Sequence, residues 1–225
     1  MQNIIQIAGI IDAEEAQLLV ESGVDWLGFP LRLPVNKEDI SETNAARIIR
    51  QLPEGRDGVL ITYLETADAI YALCKQLGAK KVQVHGKITL GELQRLRQIA
   101  PGLFILKSLI VRDDNLPDLE KQVALFSPLA DGFITDTHDP KTGADGATGK
   151  THDWRISRRL VEISPKPVML AGGLKPENVF EAIVAVRPAA VDAHTGVEDD
   201  SGRKNPRKLQ IFVNEARRGL SAIEK

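Results

Sequence analysis

The sequence has a single cysteine, few aromatic residues and almost no net charge. Because Cys74 is the only cysteine among 225 residues, no disulfide can form within the chain, and we expect a reducing compartment, the cytoplasm. The formal net charge of −2 argues against nucleic acid or a membrane surface as a partner, since both attract a basic face. No apolar run approaches the ~20 residues that a membrane-spanning helix needs. The expected partner is therefore a small molecule.

Aromatic residues make up only 4% of the chain, although 43% of it is hydrophobic. The core is therefore expected to consist of Val, Ile, Leu and Ala, and branched residues of this kind fill the interior of parallel β/α barrels. A chain of this length is long enough to bury one sizeable core.

Short apolar segments alternate with longer amphipathic segments along the whole chain. The short segments have the length of buried strands, and the longer ones have the period of helices. Eight such pairs without a linker predict a single closed (β/α)8 barrel over residues 1–225. An open doubly wound sheet is less favoured, because no glycine fingerprint follows the first strand. The predicted strands are Ile4–Ala8, Asp25–Phe29, Gly58–Thr62, Lys81–His85, Phe104–Ser108, Gly132–Thr135, Pro167–Ala171 and Ala190–Ala193.

The loops that follow the strands are expected to hold the chemistry, as in other barrels of this kind. Two of them are long, Pro30–Ile40 and Asp136–Asp153. The second is rich in Gly, Thr, Lys and Asp, which is typical of a segment that closes over a ligand. Its GATGKT stretch is similar to a nucleotide-binding loop, but Ala144 stands where that loop requires its first glycine. ATP binding is therefore not predicted.

Two glycine-containing loops are expected at the same end of the barrel. LAGGLKPEN after the seventh strand contains Gly172 and Gly173, and DAHTGVE after the eighth contains Thr195 and Gly196. These loops, with a nearby helix start, form the recurrent phosphate site of the fold. The alternative is that the glycines only form tight turns. We favour phosphate, because both loops fall at one end of one barrel.

Histidines and aspartates are predicted to lie at the same mouth. Such residues can bind a ligand or transfer protons near neutral pH. A divalent metal is the less favoured alternative, because no HxH or HExxH spacing accompanies them, and no metal ligand is assigned. Asp136 is the strongest single candidate, since it follows the sixth strand and begins the long loop. The set consists of His85, His138, His152, His194, Asp136 and Asp192.

The chain resembles the phosphoribosylanthranilate isomerase family nearly from end to end. The resemblance rests on VQVHG, on TDT followed by GATGKTHDW, on LAGGLKPENV, and on VDAHTGVE with GRKNP. It implies a barrel, and a substrate phosphate on Gly172, Gly173, Thr195 and Gly196. It also implies an Amadori-type isomerisation of a phosphorylated aminoaldose to an aminoketose, without a cofactor and related to tryptophan biosynthesis.

The family's mechanism implies a base and an acid at defined positions. A cysteine at the end of the first strand takes the proton from C2 of the sugar, and an aspartate after the sixth strand protonates the ring oxygen. The aspartate matches Asp136. The family's KICGI is QIAGI here, so the cysteine is replaced by Ala8, which cannot accept a proton. Cys74 lies in the third helix and cannot replace it, so His194 or His138 is predicted to supply the base.

A second departure falls in the loop after the second strand. The family has an arginine there, in an SPRYVSP-like segment that helps to bind the anthranilate carboxylate, whereas this chain reads NKEDISE with Glu38 and Asp39. His194 also replaces a small hydroxyl residue of the family's SSGVE. We therefore predict that the phosphosugar is retained and that the group attached to it differs. The predicted substrate contacts are Arg32, His85, Lys150 and Asp192.

Three functions stay open at this point. The first is an isomerase of the phosphoribosylanthranilate type or a close substrate variant. The second is another phosphosugar enzyme on the same scaffold, such as a lyase, aldolase or epimerase. The third is a non-catalytic phosphometabolite-binding protein, which the loss of the cysteine would fit. We favour the first, because Asp136 and the complete sixth loop are retained, and we expect a monomer or a homodimer.

Overall fold

The computed structural model describes residues 1–34, 38–112, 114–137 and 151–224. Eight parallel strands are joined in sequence order into a closed barrel, and the last strand pairs with the first. The barrel predicted from the alternating pattern is thereby confirmed. The strands are β1 Ile4–Ala8, β2 Trp26–Leu31, β3 Asp57–Thr62, β4 Lys81–Val84, β5 Phe104–Val111, β6 Gly132–Thr137, β7 Val168–Leu170 and β8 Ala190–Ala193.

Helices follow the strands and cover the outside of the barrel. Asp12, Ser41 and Thr89 each accept a hydrogen bond from a backbone N–H in the first turn of a helix, which satisfies a donor that the helix itself leaves unpaired. No helix in the described ranges has the length and hydrophobicity to cross a bilayer. The helices are α1 Ala13–Glu21, α2 Glu42–Gln51, α3 Ala67–Leu77, α4 Leu90–Ile99, α5 Leu116–Phe126, α6 Trp154–Ile163, α7 Val179–Val186 and α8 Pro206–Ile223, with a short 3-10 helix at Thr195–Val197.

Side chains along the strands alternate between two cores. Ile5, Ile7 and Leu27 are fully buried in the larger core, which the strands form with the helices. Ala8 and Trp26 belong to the smaller core inside the barrel. The alternation follows from the period of two in a β-strand. It directs every second residue of each strand towards the barrel axis.

The N-terminal end of the barrel is closed by aromatic and charged side chains. The rings of Trp26 and Phe104 meet edge to face with their centroids 5.5 Å apart. Lys81 Nζ lies 4.8 Å and 5.0 Å from these two centroids. The same nitrogen lies 3.5 Å from the carboxylate of Asp57. These contacts combine cation–π attraction with charge pairing, and they leave ligand binding to the opposite end.

The strands β5 and β6 are longer than the sequence predicted. They continue to pair beyond the expected ends, with Ile110 opposite Asp136 and Val111 opposite Thr137. Asp136 therefore lies within a strand, and the prediction that it begins a loop was wrong. A strand position holds its side chain more firmly than a loop position would, because both neighbouring backbone groups belong to the sheet.

The loop after β7 continues to Asn178, and helix α7 begins at Val179. The side chain of Asn178 accepts a hydrogen bond from the N–H of Lys175 at 2.8 Å and donates one to the carbonyl oxygen of Gly173 at 3.0 Å. Asparagine side chains that bond to nearby backbone in this way compete with helix formation. Asn178 therefore shapes the loop after β7.

Candidate active site

Polar side chains from several strands meet at the C-terminal mouth of the barrel. Asp136 lies in β6 and Asp192 in β8, while His85 and His194 follow β4 and β8 directly. Asp136 and Asp192 are each 8% exposed and His85 is 7% exposed. Parallel strands in a barrel end at the same face, so the structure brings these four predicted residues to one site.

The two aspartates of the mouth influence each other. Burial raises the pKa of Asp192 well above its ordinary value, and the charge of Asp136 raises it further. A hydrogen bond from Gln6 and the charge of Lys204 lower the pKa by smaller amounts. One oxygen of Asp136 accepts a hydrogen bond from the N–H of Thr137 at 2.8 Å. Two carboxyl groups whose environments differ in this way suit acid–base chemistry.

His85 is held by a serine and a glutamine that the sequence did not single out. Its Nδ1 lies 2.9 Å from Ser108 Oγ and 3.4 Å from Gln83 Nε2. Its ring centroid lies 4.7 Å from that of Tyr63. The sequence could have identified both residues from the period of two in a β-strand, because Gln83 and Ser108 stand at inward positions of their strands.

The loop after β7 has a backbone that requires glycine. Gly172 and Gly173 have φ angles of 95° and 63°, in the left-handed region where glycine is favoured. A Cβ on Gly172 would also overlap the hydroxyl of Thr137. The loop therefore packs directly onto the end of β6, which brings it to the edge of the mouth.

The loop after β8 touches the loop after β7. A Cβ on Gly196 would overlap the carbonyl oxygen of Leu174. Within the described part of the chain, the backbone N–H groups of Gly172, Gly173, Thr195 and Gly196 have no hydrogen-bond acceptor. Free N–H groups from a turn and a helix start attract anions. The geometry thus suits the predicted phosphate site.

His152 joins an outer helix to the barrel. Its Nδ1 lies 2.8 Å from Thr137 Oγ1 and its Nε2 lies 2.5 Å from Ser157 Oγ. Burial lowers the pKa of His152 to about 4, against a smaller raising effect of Asp153. A neutral imidazole between two hydroxyl groups satisfies both of its nitrogens. His152 therefore anchors α6 to β6. The sequence alone did not distinguish this structural role from the roles of the other histidines.

The chain matches the family described as N-(5'phosphoribosyl)anthranilate (PRA) isomerase over residues 5–215. It belongs to this family. An N-(5'-phosphoribosyl)anthranilate isomerase 2 from Methanosarcina mazei is 36% identical over 214 residues, which cover 95% of this chain and 93% of the relative.

Two solved structures of isomerases from the family are similar to this chain. One is a phosphoribosyl anthranilate isomerase in complex with reduced 1-(o-carboxyphenylamino)-1-deoxyribulose 5-phosphate, with 28% identity, a TM-score of 0.78, and coverage of 95% of this chain and 97% of that one. The other is described as monomers generated from the dimeric isomerase of Thermotoga maritima, with 28% identity, a TM-score of 0.76 and the same coverage of 95% and 97%. The isomerase prediction is confirmed at the level of the family.

In this member of the PRA isomerase family, an imidazole lies close to the end of β1, where Ala8 stands in place of the expected cysteine. β1 and β8 pair with Ile7 opposite Ala193, so His194 follows beside Ala8. A Cβ on Gly9 would overlap the His194 ring at Nε2. The His194 ring therefore lies directly against the backbone that follows Ala8.

A carboxylate and a buried lysine accompany His194. Its Nε2 lies 3.3 Å from Glu198 Oε1, and Lys204 Nζ lies 2.5 Å from the same oxygen. The Lys204 side chain is 0% exposed. Burial lowers the pKa of His194 to about 3, and the charge of Lys204 contributes. The imidazole is therefore neutral near pH 7. Glu198 and Lys204 were missed as site residues, although both stand in the VDAHTGVE and GRKNP motifs.

The acidic loop after β2 holds its own arginine. Arg32 Nε donates to Glu42 Oε1 at 2.7 Å, and the Arg32 backbone N–H donates to Glu38 Oε1 at 2.6 Å. Burial raises the pKa of Asp39. The charge of Lys204 lowers this pKa, and the charge of Glu198 raises it. Asp39 is thus within electrostatic reach of the His194 side of the mouth. The substrate contact of Arg32 stays a prediction.

Two predicted site residues, His138 and Lys150, lie outside the described residues. Their roles stay predictions. Within the described ranges, no group of three or more His, Cys, Asp or Glu side chains is arranged to hold a metal ion.

Proposed function

We propose that this chain is a phosphoribosylanthranilate-type isomerase in which His194 replaces the family's cysteine as base. The observation that supports this most directly is the position of the His194 ring against Gly9, beside Ala8. The substrate is a phosphorylated aminoaldose and the product an aminoketose. This reaction is the family's step related to tryptophan biosynthesis.

The phosphate of the substrate is proposed to bind between the loops after β7 and β8. The loops that carry the four N–H groups described above are in contact there, and an anion accepts hydrogen bonds from such groups at little cost in reorganisation. The related isomerase that holds a reduced deoxyribulose 5-phosphate supports a phosphorylated ligand for this chain. Thr195 adds a hydroxyl that can donate to the same phosphate.

Asp136 is proposed to protonate the ring oxygen. As that oxygen gains the proton, the C1–O bond breaks with its electron pair on oxygen, and the nitrogen lone pair forms a C1=N bond. Asp136 is 8% exposed and is fixed within β6. A positioned acid of this kind accelerates such a step by about 10²–10⁴-fold.

His194 is proposed to take the proton from C2. The C–H electron pair then forms a C1=C2 bond, the C1=N pair returns to nitrogen, and the resulting enol converts to the ketone. Nε2 is the ring atom that lies nearest Gly9, so its lone pair is the one placed to accept the proton, and Glu198 Oε1 at 3.3 Å stabilises the imidazolium that forms. The lowered pKa keeps that lone pair unprotonated at neutral pH.

The His194→Ala variant tests the proposal. We expect kcat for N-(5'-phosphoribosyl)anthranilate to fall about 10²-fold or more, since the base is removed, with a smaller change in KM because the phosphate loops are intact. His152→Gln is the matched control, because that histidine joins α6 to β6 and should affect stability more than kcat. Wild-type kcat in His194→Ala would show that His194 is not the base.

A second variant asks whether the rest of the site is still that of the family. Ala8→Cys in a His194→Ser background rebuilds the cysteine, and we expect kcat to recover at least about tenfold over His194→Ser. Activity should then be lost on treatment with a thiol reagent. Cys74 does not interfere, because it is 2% exposed and burial raises its pKa to about 12. Absence of recovery would mean that more than the base has changed.

A further inference from the structure

A chain of buried polar side chains crosses the interior of the barrel below the mouth. Gln6 Nε2 donates to Gln83 Oε1 at 3.2 Å. Gln83 Nε2 lies 3.4 Å from both His85 Nδ1 and Ser108 Oγ. Gln6 is 0% exposed and Gln83 3% exposed. Each polar N–H of these side chains therefore needs an acceptor, and each acceptor needs a donor.

Two acceptors at the β8 end of this chain lack a donor. Gln6 Oε1 and Asp192 Oδ1 are buried and have no hydrogen-bond partner among the described residues. Gln6 and Asp192 are paired positions on β1 and β8, and their side chains interact. A buried acceptor left unpaired costs about 1–3 kcal/mol. A proton on the carboxyl group of Asp192 would satisfy both oxygens with one hydrogen bond.

The surroundings of Asp192 favour that proton. The carboxyl group is buried, and Asp136 on β6 adds a like charge while Asp136 is ionised, that is, when it does not carry the proton that it gives to the ring oxygen. The opposing cation is Lys204 in the segment after β8, and its Nζ pairs with Glu198. The intervening strand β7 contributes Met169 to the barrel interior, which is apolar. Burial and the like charge raise the pKa of Asp192 against the smaller lowering effects of the hydrogen bond from Gln6 and the charge of Lys204.

We propose that Asp192 is a neutral carboxylic acid that donates to Gln6, and that the chain of hydrogen bonds beginning there holds His85 as its Nε2–H tautomer. An Asp192 O–H that donates to Gln6 Oε1 fixes the Gln6 amide, with one N–H on the other oxygen of Asp192 and the second N–H on Gln83 Oε1. Gln83 then presents its own Nε2 to His85 Nδ1, which must accept. Ser108 lies 2.9 Å from Nδ1 and donates to the same lone pair.

An ionised Asp192 would reverse the direction of these hydrogen bonds. An ionised carboxylate would have no proton between its Oδ1 and Gln6 Oε1, so these two oxygens would repel each other and both amides would turn over. His85 would then carry its proton on Nδ1. Asp192 and Gln6 thus act on His85 through Gln83, as positioning residues. Under the proposed function, on which this consequence rests, His85 is a hydrogen-bond donor to an oxygen of the sugar.

The tautomer is measured on the full-length, ligand-free chain by ¹⁵N NMR of the histidine rings near pH 7. His85→Gln identifies the signals of His85. We expect a protonated Nε2 and an unprotonated Nδ1. Asp192→Asn should keep this tautomer, because its amide N–H also donates to Gln6 Oε1. Gln83→Glu should reverse it, because a carboxylate accepts from Nδ1–H. A wild-type Nδ1–H tautomer, or no change in Gln83→Glu, would overturn the proposal.

Infrared spectroscopy provides a measurement that does not depend on the variants of Gln83. A C=O band of a protonated carboxyl group should be present near pH 7 in the wild type and absent from Asp192→Asn. Absence of this band from the wild type would overturn the proposal. Neither measurement needs a substrate. A correct tautomer without isomerase activity would therefore refute the proposed function and leave this inference standing.

Discussion

The residues that distinguish this site compensate for one another in size. Ala8 is smaller than the cysteine that the family has at the end of β1, and His194 is larger than the family's small hydroxyl residue after β8. The two positions are neighbours because β1 pairs with β8. The His194 ring lies against Gly9, the residue that follows Ala8. The exchange therefore moves a potential base from one strand to the next, at nearly the same place.

At the same scale, Asp39 is expected to weaken recognition of the anthranilate carboxylate. Glu38 and Asp39 stand in the loop where the family has its arginine, and a carboxylate near them is repelled. N-(5'-phosphoribosyl)aniline, which lacks that carboxylate, should have a kcat/KM within about tenfold of the anthranilate compound. Asp39→Asn should shift the ratio towards the anthranilate compound.

The two substrates are compared by initial rates under identical conditions. Arg32→Met is the matched control, because Arg32 is the cation of the described part of this loop and is paired with Glu42. The opposite result would be a kcat/KM for the aniline compound far more than tenfold below that for the anthranilate compound. If this difference were absent from Arg32→Met, Arg32 would be shown to leave Glu42 and bind the carboxylate.

At the scale of elements, the phosphate site depends on contact between two loops. The loop after β7 rests on Thr137 through Gly172, and the loop after β8 rests on Leu174 through Gly196. The Asn178 side chain holds the first loop from within. The N–H groups are therefore arranged before a ligand arrives, which reduces the entropy that binding costs.

Gly172→Ala should damage this arrangement. Its φ of 95° is unfavourable for a residue with a Cβ by about 1–2 kcal/mol, and the Cβ would overlap Thr137. We expect at least about tenfold weaker inhibition by inorganic phosphate, since about 1.4 kcal/mol corresponds to a factor of ten. Gly91→Ala in α4 is the control, because a Cβ there meets nothing within 4 Å. Equal phosphate inhibition in both variants would place the phosphate elsewhere.

At the scale of the whole molecule, two half-buried histidines link stability to pH. The pKa is lowered to about 3 for His194 and to about 4 for His152, from the ordinary 6.5. Below pH 6.5 the unfolded chain therefore binds protons that the folded chain does not bind. The free energy of unfolding consequently decreases as pH falls from about 6.5 towards these lowered values. Each histidine should cost about 2 kcal/mol at pH 5 relative to pH 7.5.

Urea unfolding at pH 7.5 and pH 5 measures this dependence. His152→Gln should be less stable than the wild type at pH 7.5 but should lose about 2 kcal/mol less on acidification, because one titrating group is gone. The same loss in His152→Gln as in the wild type would mean that His152 is protonated in the folded protein.

The extent of the molecule as one domain over residues 1–225 stays a prediction, as does the choice between monomer and homodimer. The related isomerase of Thermotoga maritima described as dimeric makes a dimer the first state to test. Exposed apolar residues on the outer helices include Leu125 and Ile211, but nothing in the structure shows what would cover them.

The sequence by itself determined the barrel, the face that carries the site and the absence of the family's base. Strand and helix periods are local properties, so eight alternations could be counted, and parallel strands place residues such as Asp136 and Asp192 at one mouth. Loops that follow strands could likewise be assigned to that mouth. Ala8 needed no structure, because no arrangement of its neighbours gives it a lone pair.

Only the tertiary structure decided which side chains meet. His194 lies against Gly9, Arg32 pairs with Glu42, and Gln6 stands beside Asp192. These pairs follow from the register between strands and from the course of loops, and neither has a period that a single sequence reveals. The end of β6 was misplaced for the same reason, since continued pairing with β5 extends it past Asp136.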